Sequence, residues 1–478
     1  MTARPDEADA FDPLAALDAL LADVGLSSAD AGGQVTFAGQ DPIVPARHRL
    51  GAAIGLPIMG CAVGIAALWR QATGQGQDLH LDLRQAVHGI TPHAFWHPTL
   101  SGELPPHPLV ADNPFLLDAY RTRDGRTVMA SGVYPHLAAK WLRFLDVPPD
   151  RDKVAAAFVR WDASALEDAA NAVGLPLSVA RTPQEWRDHA HGRHLAAQPV
   201  IVLRRTGDAP PRSLPNGRRP LAGIRVLSFT HAIAGPVVGR TLASQGADVL
   251  CATRPNDYEH DFIYDDANIG SRSAYVDLTR PVGRTLADSL LADADVVVNN
   301  HRPGKLEQLG LGPDRLAATH PGLVSVSVSC YGSTGPWAER GGFDMNGSAA
   351  SGLMALEGTP EDPRLPVTGM INDYVTGYLG ALGATAALLK QRREGGSWRV
   401  EVNLTRAAMW YRSLGLVDPA QAGNDEEHSL REPEAYDVAT PLGDLHTLAP
   451  PVSFSATPAR WPEPALVPRG SSRAQWLP

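Results

Sequence analysis

The chain of 478 residues has a formal net charge of -10 and 44% hydrophobic residues, enough for two or three packed domains of about 100–200 residues each. Because it has no long basic run, we expect neither nucleic acid nor an anionic membrane surface as a partner. Its three cysteines lie far apart without C-x-x-C spacing, which argues against zinc and a disulfide framework and predicts a reducing, cytoplasmic location.

The first part of the chain predicts helices and a short strand. Residues 1–12 are acidic and polar and lack the features of a signal peptide, and apolar spacing predicts a short amphipathic helix within 11–24. Residues 50–69 are uncharged and long enough to span a membrane. Pro57 and the many small residues favour a buried core helix instead. An alternating pattern then predicts a strand at 79–83.

Residues 92–114 are rich in proline and predict a loop without a regular helix. Its three histidines are His93, His97 and His107. No carboxylate or cysteine completes a metal-ligand set with them, so we predict no metal there. The next segment predicts a compact α+β domain that begins with a hairpin turning at Asp124-Gly125. Its other predicted elements are helices at 137–145, 153–159, 163–173 and 183–194 and a strand at 200–204.

A second, larger domain is predicted from Leu221 onward. Apolar strands alternate with helices there, which predicts an α/β fold with a doubly wound, mostly parallel, Rossmann-like sheet. The first strand-to-helix turn, 231–236, lacks G-x-G-x-x-G, so NAD or FAD is not predicted. The predicted strands lie at 223–229, 246–252, 295–299 and 323–328, and the first crossover helix lies at 235–245.

Asp344 stands between the strand at 323–328 and a small, apolar stretch at 349–356 that predicts the start of a helix. Loops at the carboxyl ends of parallel strands form the crevice in which open α/β sheets place their chemistry. The alternative is that Asp344 only accepts hydrogen bonds from the first free N–H groups of the helix. The position by itself leaves both interpretations open.

One helix-turn-strand pattern occurs twice. Residues 66–86 resemble residues 386–407: in both, a Gly/Ala-rich apolar helix ends in basic residues, a glycine turn follows, and an alternating strand comes next. Only the second copy follows the strand-rich sheet, and only the first precedes the α+β domain. The chain therefore has the appearance of differently truncated parts of a duplicated gene.

Ordered motifs within 221–352 carry a family resemblance. They are Leu221–Leu227, Ala234–Pro236, Leu242–Asp248, Asp277-Leu278, Asn300–Gly304, Leu309–Gly312, Tyr331–Pro336, Gly342–Asp344 and Ser351-Gly352. In this order and spacing they resemble the family III CoA-transferases, the formyl-CoA transferase and carnitine-CoA transferase type also called the CaiB/BaiF family. Residues 113–198 resemble the smaller domain of that family. The family's later part thus comes first here, in a permuted or fused-duplicate arrangement.

The resemblance implies an acyl-CoA:carboxylate CoA-transferase with Asp344 as nucleophile. Its carboxylate would attack the acyl-CoA thioester to give a mixed anhydride, and the released thiolate would then form an aspartyl-CoA thioester. A carboxylic acid acceptor would reverse these steps. No tightly bound cofactor is implied, because coenzyme A is the group that the substrate carries. Family members form interlocked dimers, so a homodimer is expected, but the permuted order could let one chain supply both domains.

The resemblance also places coenzyme A on the sheet domain, where this chain departs from the family. The family's Lys-Val-Glu after the second strand is replaced by Cys251–Thr253, and the usual lysine of an Asn-x-Gly-Lys motif by Ser271. Arginines could meet the phosphates instead. For the family's glycine-rich closing loop, a surrogate within 105–113 is suggested. The predicted coenzyme A-binding residues are His231, Ala232, Ile233, Arg254, Arg272, Asn300, His301, Arg302, Tyr331 and Gly332.

Two alternative functions remain open. A racemase branch of the family moves a proton with a His directly before the aligned aspartate and a second Asp further on. These positions are Phe343 and Asp373 here, and phenylalanine cannot take a proton, so a racemase or an intramolecular CoA-transfer isomerase is the second choice. Asp373 is expected to line the pocket or to be structural. The missing lysines and truncated copies suggest the other alternative, a catalytically reduced paralogue that only binds acyl-CoA.

The last part of the chain, 413–478, becomes proline-rich and predicts an extended strap. Within it Leu466–Ser471 spells a thrombin-site sequence, either native or a tag remnant. The predicted segments are 1–40, an N-terminal helix and connector; 41–112, a core helix and strand module; 113–208, the small α+β domain; 209–220, a linker; 221–412, the Rossmann-like coenzyme A-binding catalytic domain; and 413–478, the strap.

Overall fold

The computed structural model of the protein describes residues 11–90, 92–103, 113–213 and 217–478. Most of the N-terminal segment 1–12, His107 and most of the suggested loop surrogate at 105–113 lie outside these ranges. The helices are α1 Pro13–Ala22, α2 Leu50–Thr73, α3 Leu83–Ala86, α4 Pro92–Phe95, α5 Pro135–Leu145, α6 Arg151–Phe158, α7 Ala163–Ala172, α8 Pro183–Asp188, α9 Ala190–Ala196, α10 Ala234–Ala243, α11 Asp261–Ala267, α12 Pro281–Leu291, α13 Lys305–Gln308, α14 Pro313–Thr319, α15 Asp344–Ser351, α16 Leu353–Glu357, α17 Asn372–Glu394 and α18 Leu404–Arg412.

The strands are β1 Gly32–Ala38, β2 Gln77–Asp82, β3 Thr99–Leu100, β4 Ala119–Arg121, β5 Thr127–Ala130, β6 Leu177–Val179, β7 Val202–Gly207, β8 Arg225–Phe229, β9 Asp248–Thr253, β10 Arg272–Tyr275, β11 Val296–Asn299, β12 Val324–Ser329, β13 Ser397–Asn403, β14 Ala435–Thr440, β15 Gly443–Leu448 and β16 Ser453–Phe454. Short 3-10 helices lie at Ser28–Ala31, Val87–Gly89 and Pro419–Gln421. The one-turn helix α4 lies where the prolines predicted none, because Pro92 occupies its first position, where a helix needs no N–H donor.

A seven-stranded sheet with the order β10-β9-β8-β11-β12-β13-β7 forms the centre of the molecule. All its pairs are parallel except β13 with β7, which confirms the predicted α/β, mostly parallel fold. From β8 the chain runs outward to β9 and β10 and then returns to β11 on the other side of β8. The strand order therefore reverses between β8 and β11, and this reversal opens a crevice at their carboxyl ends.

The strand predicted at 200–204 forms, but its assignment to the small domain is wrong. As β7 it pairs antiparallel with β13, with Val202 opposite Glu401 and Leu203 opposite Val400. The partner strand lies almost two hundred residues further along the chain, and local apolar pattern carries no information about such long-range pairing. The large sheet thus takes its edge strand from before the linker.

The helix α2 is a buried core helix, as predicted. Residues Leu50–Leu68 are all buried, and α2 packs along α17 with small residues at the contact. A β-carbon on Gly64 would come within 2.2 Å of Thr385 Oγ1, so the two helix backbones approach closely. Among the described residues α2 is the one helix whose length and hydropathy would suit a membrane, and its most apolar window is fully buried.

The repeated pattern corresponds to two similar modules in space. In the first, β1 pairs parallel with β2 after the connection through α2, and α3 follows. In the second, β12 pairs parallel with β13 after the connection through α17, and α18 follows. Because α2 and α17 pack together, the two copies face each other within one chain.

The small domain contains the three-stranded sheet β4-β5-β6 and the helices α5, α6 and α7. The predicted hairpin turn is confirmed, with Gly125 at φ 74°, a conformation that glycine adopts without strain. Aromatic rings fill the core, where Phe115 stacks on Trp141 at 5.6 Å and Tyr120 on Phe158 at 4.6 Å between centroids.

The C-terminal segment differs from the predicted extended strap in part. Strands β14 and β15 form a hairpin that β3 joins, and β16 pairs with β2 of the first module. Only the last part is an extended strap along the sheet: the backbone of Gly470 donates to Ser273 Oγ, and Ser471 bridges to Ala274 on β10. The segment Leu466–Ser471 is thus packed against the sheet edge, whatever its origin.

Candidate active site

Asp344 is the first residue of α15, directly after the loop that leaves the carboxyl end of β12, as the sequence predicts. Its side chain is buried, at 1% exposure. One carboxylate oxygen, Oδ1, accepts from Asn372 Nδ2 at 3.0 Å and from Ser348 Oγ at 3.4 Å. The other, Oδ2, accepts from the backbone N–H of Asp373 at 2.9 Å. Asp344 is thus held from another helix, α17, instead of only capping its own.

Asn372 fixes the position of this carboxylate. Its Nδ2 atom also lies 3.0 Å from the carbonyl oxygen of Asp344 and 2.7 Å from Ser348 Oγ. Its Oδ1 atom accepts from the hydroxyl of Tyr411, on α18, at 3.0 Å, so the amide nitrogen faces Asp344. Neither Asn372 nor Tyr411 was predicted from the sequence, because they meet only after α17 and α18 pack together.

The two adjacent aspartates share an electrostatic environment. Burial raises the pKa of Asp344 to about 7, although the hydrogen bonds from Asp373 and Asn372 oppose the shift. Burial and the neighbouring Asp344 carboxylate raise the pKa of Asp373 well above its usual value. The two carboxyl groups therefore titrate as one pair, in which the negative charge of one disfavours ionisation of the other.

A cavity of about 300 Å³ lies in the crevice between β8 and β11 and is covered by the small domain. The sheet domain contributes His231, Ala232, Ala234, Asn300, His301, Arg302, Lys305, Val328, Ser329, Cys330, Gly341, Gly342, Phe343, Asp373 and Leu404. The small domain contributes Tyr134, His136, Leu137, Gly174 and Pro176. One chain therefore supplies both walls of the site, and Phe343 and Asp373 are among the lining residues.

Tyr134 links the two walls. Its hydroxyl donates to Glu259 Oε1 at 3.1 Å, and Glu259 Oε2 accepts from the backbone N–H of Ala232 at 2.8 Å. The Tyr134 ring lies 6.0 Å from that of Phe343. Burial, followed by the Glu259 charge, raises the pKa of Tyr134, so its hydroxyl stays protonated as a donor. No sequence pattern indicates this contact, since Tyr134 and Glu259 are far apart in the chain.

Five of the predicted coenzyme A-binding residues lie at this cavity: His231, Ala232, Asn300, His301 and Arg302. Asn300 holds the loop after β8 by accepting from the His231 N–H at 3.1 Å and donating to its carbonyl at 2.6 Å. The His231 and His301 rings stack at 5.3 Å, and burial, with a smaller contribution from His231, lowers the pKa of His301 to about 4. Arg302 and Lys305 are the cationic groups of the lining.

The two other predicted arginines are not brought to this cavity. Arg272, on β10, binds Asp248 through both Nε and Nη2 at 2.8–2.9 Å. Arg254 is paired with Asp257, with Nε at 3.0 Å from both carboxylate oxygens. Neither arginine is among the described residues that line the cavity. Each of these arginines binds a nearby aspartate instead, and the sequence pattern does not indicate these pairs.

Three further predicted residues lie beside the cavity without lining it. Ile233 is buried against the core as α10 begins. Tyr331 is buried and its hydroxyl shares a 2.7 Å hydrogen bond with Ser178 of the small domain. Gly332 lines a second, neighbouring cavity. Within the described ranges no group of three or more His, Cys, Asp or Glu side chains is arranged to hold a metal ion.

The sequence of this region matches a known family. Residues 221–440 match the family model CoA-transferase family III. This part of the chain is therefore similar to CoA-transferase family III. The family III region contains β8–β13, Asp344, Asn372 and Tyr411, whereas the small domain that covers its cavity lies outside the match.

Curated relatives align with the same region. Acetyl-coenzyme A transferase nodX of Hypoxylon pulicicidum is 34% identical over 215 residues, 44% of this chain and 36% of that protein. The succinyl-CoA–L-malate CoA-transferase alpha subunit of Chloroflexus aurantiacus is 35% identical over 217 residues, 42% of this chain and 50% of that protein. The chain thus spans half or less of the length of these relatives. The crystal structure of Rv3272 from Mycobacterium tuberculosis covers 41% of this chain and 57% of its own, with 34% identity and a TM-score of 0.39.

Proposed function

We propose that this protein is an acyl-CoA:carboxylate CoA-transferase that works through an aspartyl-CoA thioester on Asp344. The observation that carries the proposal is the environment of Asp344. Its buried carboxylate accepts hydrogen bonds from Asn372 and Asp373 and lies beside a cavity that two domains enclose. The family III relatives that are named CoA-transferases support it.

The first half of the reaction uses groups at the Asp344 carboxylate. Ionised Asp344 attacks the thioester carbonyl, the C–S bond breaks, and a mixed anhydride and CoA thiolate form. The thiolate then attacks Cγ of Asp344, the bond between Cγ and the bridging oxygen breaks, and the acyl group leaves as the carboxylate of the free acid, so that coenzyme A is bound to Asp344 as a thioester. Asn372 Nδ2 and the Asp373 N–H, which now point at the carboxylate oxygens, would stabilise the oxyanion that develops on Asp344.

The second half runs the same steps in reverse with an acceptor acid. The acceptor carboxylate attacks the aspartyl-CoA thioester and forms a second mixed anhydride, and the thiolate attacks its acyl carbonyl. Asp344 is thereby regenerated as a carboxylate, and a new acyl-CoA leaves. Coenzyme A serves only as the carried group.

A burst experiment tests this function. Mixing the protein with acetyl-CoA, propionyl-CoA or succinyl-CoA in the absence of an acceptor should release up to one equivalent of free acid per chain. The CoA should remain with the protein through gel filtration. The Asp344→Asn variant should release none. If the wild-type protein gives no burst with any of the three thioesters, the transferase proposal is wrong and acyl-CoA binding without turnover becomes the better account.

Proton transfer is the second candidate, because Asp373 lines the cavity and burial, followed by the Asp344 charge, raises the pKa of its carboxyl group. An Asp373 carboxyl and an Asp344 carboxylate could exchange a proton at the α-carbon of an acyl-CoA, as in a racemase or isomerase. Incubation of 2-methylacyl-CoA in D2O separates the candidates. Deuterium at the α-carbon without release of free acid would favour proton transfer.

We further propose that one chain forms a complete active site, since both cavity walls come from the same chain. Specific activity should then stay constant on dilution. A decline that follows dissociation of a homodimer would show that a second chain is required. A cytoplasmic location remains a prediction.

A further inference from the structure

A second cavity, of about 340 Å³, lies on the other side of β11 from the first. It opens at the carboxyl ends of β11 and β12 and reaches along β13 to β7. Four residues line both cavities, so a single layer of side chains separates them: His301, Arg302, Val328 and Ser329. The stem of Arg302 rests on Gly341, where a β-carbon would lie 3.1 Å from Arg302 Cδ.

Three arginines and two glutamates line this second cavity: Arg204, Arg302, Arg399, Glu307 and Glu401. Arg399 on β13 and Arg204 on β7 stand opposite each other in the antiparallel register, and both line the cavity. Two like charges that face each other across a strand pair destabilise a sheet unless an opposite charge lies between them. Glu401 supplies part of it, because it binds Arg399 Nη2 at 2.8 Å and the Ser333 hydroxyl.

The remaining positive groups lack partners in the described part of the chain. Arg399 Nε is buried without a hydrogen bond, and Arg204 forms no ion pair within the described ranges. Arg302 also has no acidic partner there. Arginine presents a planar array of donors that matches a carboxylate in two-point geometry. A small anion with a carboxylate group would give Arg399 Nε and the exposed Arg204 the acidic partner that they lack within the described ranges.

The proposed transferase mechanism creates a need for such a site. After the first half-reaction coenzyme A is attached to Asp344 and its chain fills the first cavity. The released acid must leave, and the acceptor acid must arrive, while coenzyme A blocks the crevice between β8 and β11. A route for the acids that is separate from the route for coenzyme A would avoid this block.

We propose that the second cavity is the binding site and passage for the free carboxylic acid, with Arg204 and Arg399 as its carboxylate-binding residues. Arg302, in the shared wall, lies between this site and the catalytic cavity. The inference rests on the proposed function and adds where the acid binds. Its ligands are small mono- or dicarboxylates.

Single variants on β7 provide a matched test. Arg204 lines the cavity, whereas its neighbour Arg205 points to the other face and pairs with Asp208 at 3.0 Å. We expect Arg204→Gln to raise the acetate and succinate concentrations that give half-maximal rate about tenfold, because the variant loses one charge-assisted hydrogen bond to the acid. Arg204→Glu should raise them further. The KM for acyl-CoA should change less than twofold in both, and Arg205→Gln should resemble the wild type.

Two outcomes overturn the proposal. The first is an unchanged half-saturation for both acids in Arg204→Gln and Arg204→Glu. The second is an equal change in the KM for acyl-CoA, which would place Arg204 in the coenzyme A site. A direct titration of ¹³C-labelled acetate by NMR keeps the test independent of turnover. If the wild type forms no enzyme-bound CoA, the proposed function fails, yet loss of acetate binding in Arg204→Glu still supports the site and equal binding still refutes it.

Discussion

The two helix-turn-strand modules have the same backbone plan. In each a strand leads to a long buried helix and then to a parallel neighbouring strand. The residue that ends the second strand caps the next helix in both copies: Asp82 accepts from the Arg84 N–H at 3.0 Å, and Asn403 accepts from the Arg406 N–H at 2.8 Å. The sequence repeat is therefore also a repeat of local hydrogen bonding.

In both modules a buried aspartate accepts hydrogen bonds from the start of the long helix. Asp41 accepts from the backbone N–H groups of Gly51 and Ala52, each at 2.8 Å. Asp344 accepts from the backbone N–H of Asp373 at 2.9 Å. Burial raises the pKa of each carboxyl group. The start of a long helix thus binds a buried carboxylate group twice in this chain.

The surroundings of the two aspartates differ. Asp41 is packed in: a β-carbon on Gly51 would come 2.6 Å from Ile43 and 3.0 Å from Asp41 Oδ1. The helix start beside Asp344 instead carries Asn372 and the cavity-lining residue Asp373. In both modules the backbone N–H groups bind the carboxylate. Only at Asp344 do neighbouring polar side chains and an adjacent cavity allow a chemical role.

Removal of each carboxylate should have opposite consequences for activity and stability. We expect Asp344→Asn to lower CoA-transfer activity by more than about 10³-fold, as loss of a nucleophile does. Asp41→Asn should leave the turnover of the folded protein unchanged but lower the free energy of unfolding by about 1–3 kcal/mol, because an amide NH2 then faces a backbone donor. Transfer assays and urea unfolding on both variants check this. Equal activity losses would refute the distinction.

The pH dependence should report the environment of Asp344. Its pKa is raised to about 7, and only the ionised carboxylate attacks, so the rate of enzyme–CoA formation should fall about tenfold per pH unit below 7. Stability should change in the other direction: ionising a group whose pKa is higher in the folded than in the unfolded state costs stability as pH rises from about 4 to 7. Stopped-flow rates between pH 5 and 9 test the first effect. A rate that stays flat down to pH 5 would contradict it.

Removal of the Asn372 side chain should weaken the hydrogen bonding of the Asp344 carboxylate without abolishing it, because the backbone N–H of Asp373 remains as a donor. Asn372→Ala deletes one donor to Asp344, so we expect kcat to fall about tenfold and the acidic limb to move about 1 pH unit upward. Tyr411→Phe keeps the Asn372 amide but removes the hydrogen bond from the tyrosine hydroxyl to Asn372 Oδ1, so it should produce a smaller change in the same direction. An unshifted pH profile in Asn372→Ala would mean that Asn372 is only structural.

The contact between the two long helices offers the smallest effect. A β-carbon on Gly64 would lie 2.2 Å from Thr385 Oγ1, whereas one on Gly89 would lie 3.8 Å from its nearest neighbour. Gly64→Ala should therefore destabilise the fold by about 1–3 kcal/mol, and Gly89→Ala should change stability little. Thermal unfolding of both variants decides this. Equal midpoints would show that the modules are not closely packed.

Local pattern was sufficient for much of the fold. The alternation of valine-rich strands with helices predicted the parallel sheet, and the small residues and Pro57 predicted a buried α2. Asp344 was placed at a strand end and a helix start from the same kind of pattern. These features depend on residues that are close together in the chain.

Features that depend on long-range contacts were missed. The sequence predicts β7 in the small domain, whereas it pairs with β13 of the large sheet. It predicts a strap where β14 and β15 form a hairpin, and it predicts Arg272 at the coenzyme A site, whereas Asp248 binds that arginine. The Asn372–Tyr411 and Tyr134–Glu259 hydrogen bonds join elements that meet only in the folded chain. Nothing in the spacing of these residues could have indicated the pairs.

Peptide mass spectrometry after mixing with acyl-CoA tests the central claim most directly. Brief incubation with acetyl-CoA and no acceptor, followed by hydroxylamine and digestion, should convert Asp344 to its hydroxamate in the wild type, with Asp41 unmodified as an internal control. Adding an acceptor acid before hydroxylamine should remove the label. An unmodified Asp344 peptide under conditions in which CoA is transferred would contradict the account.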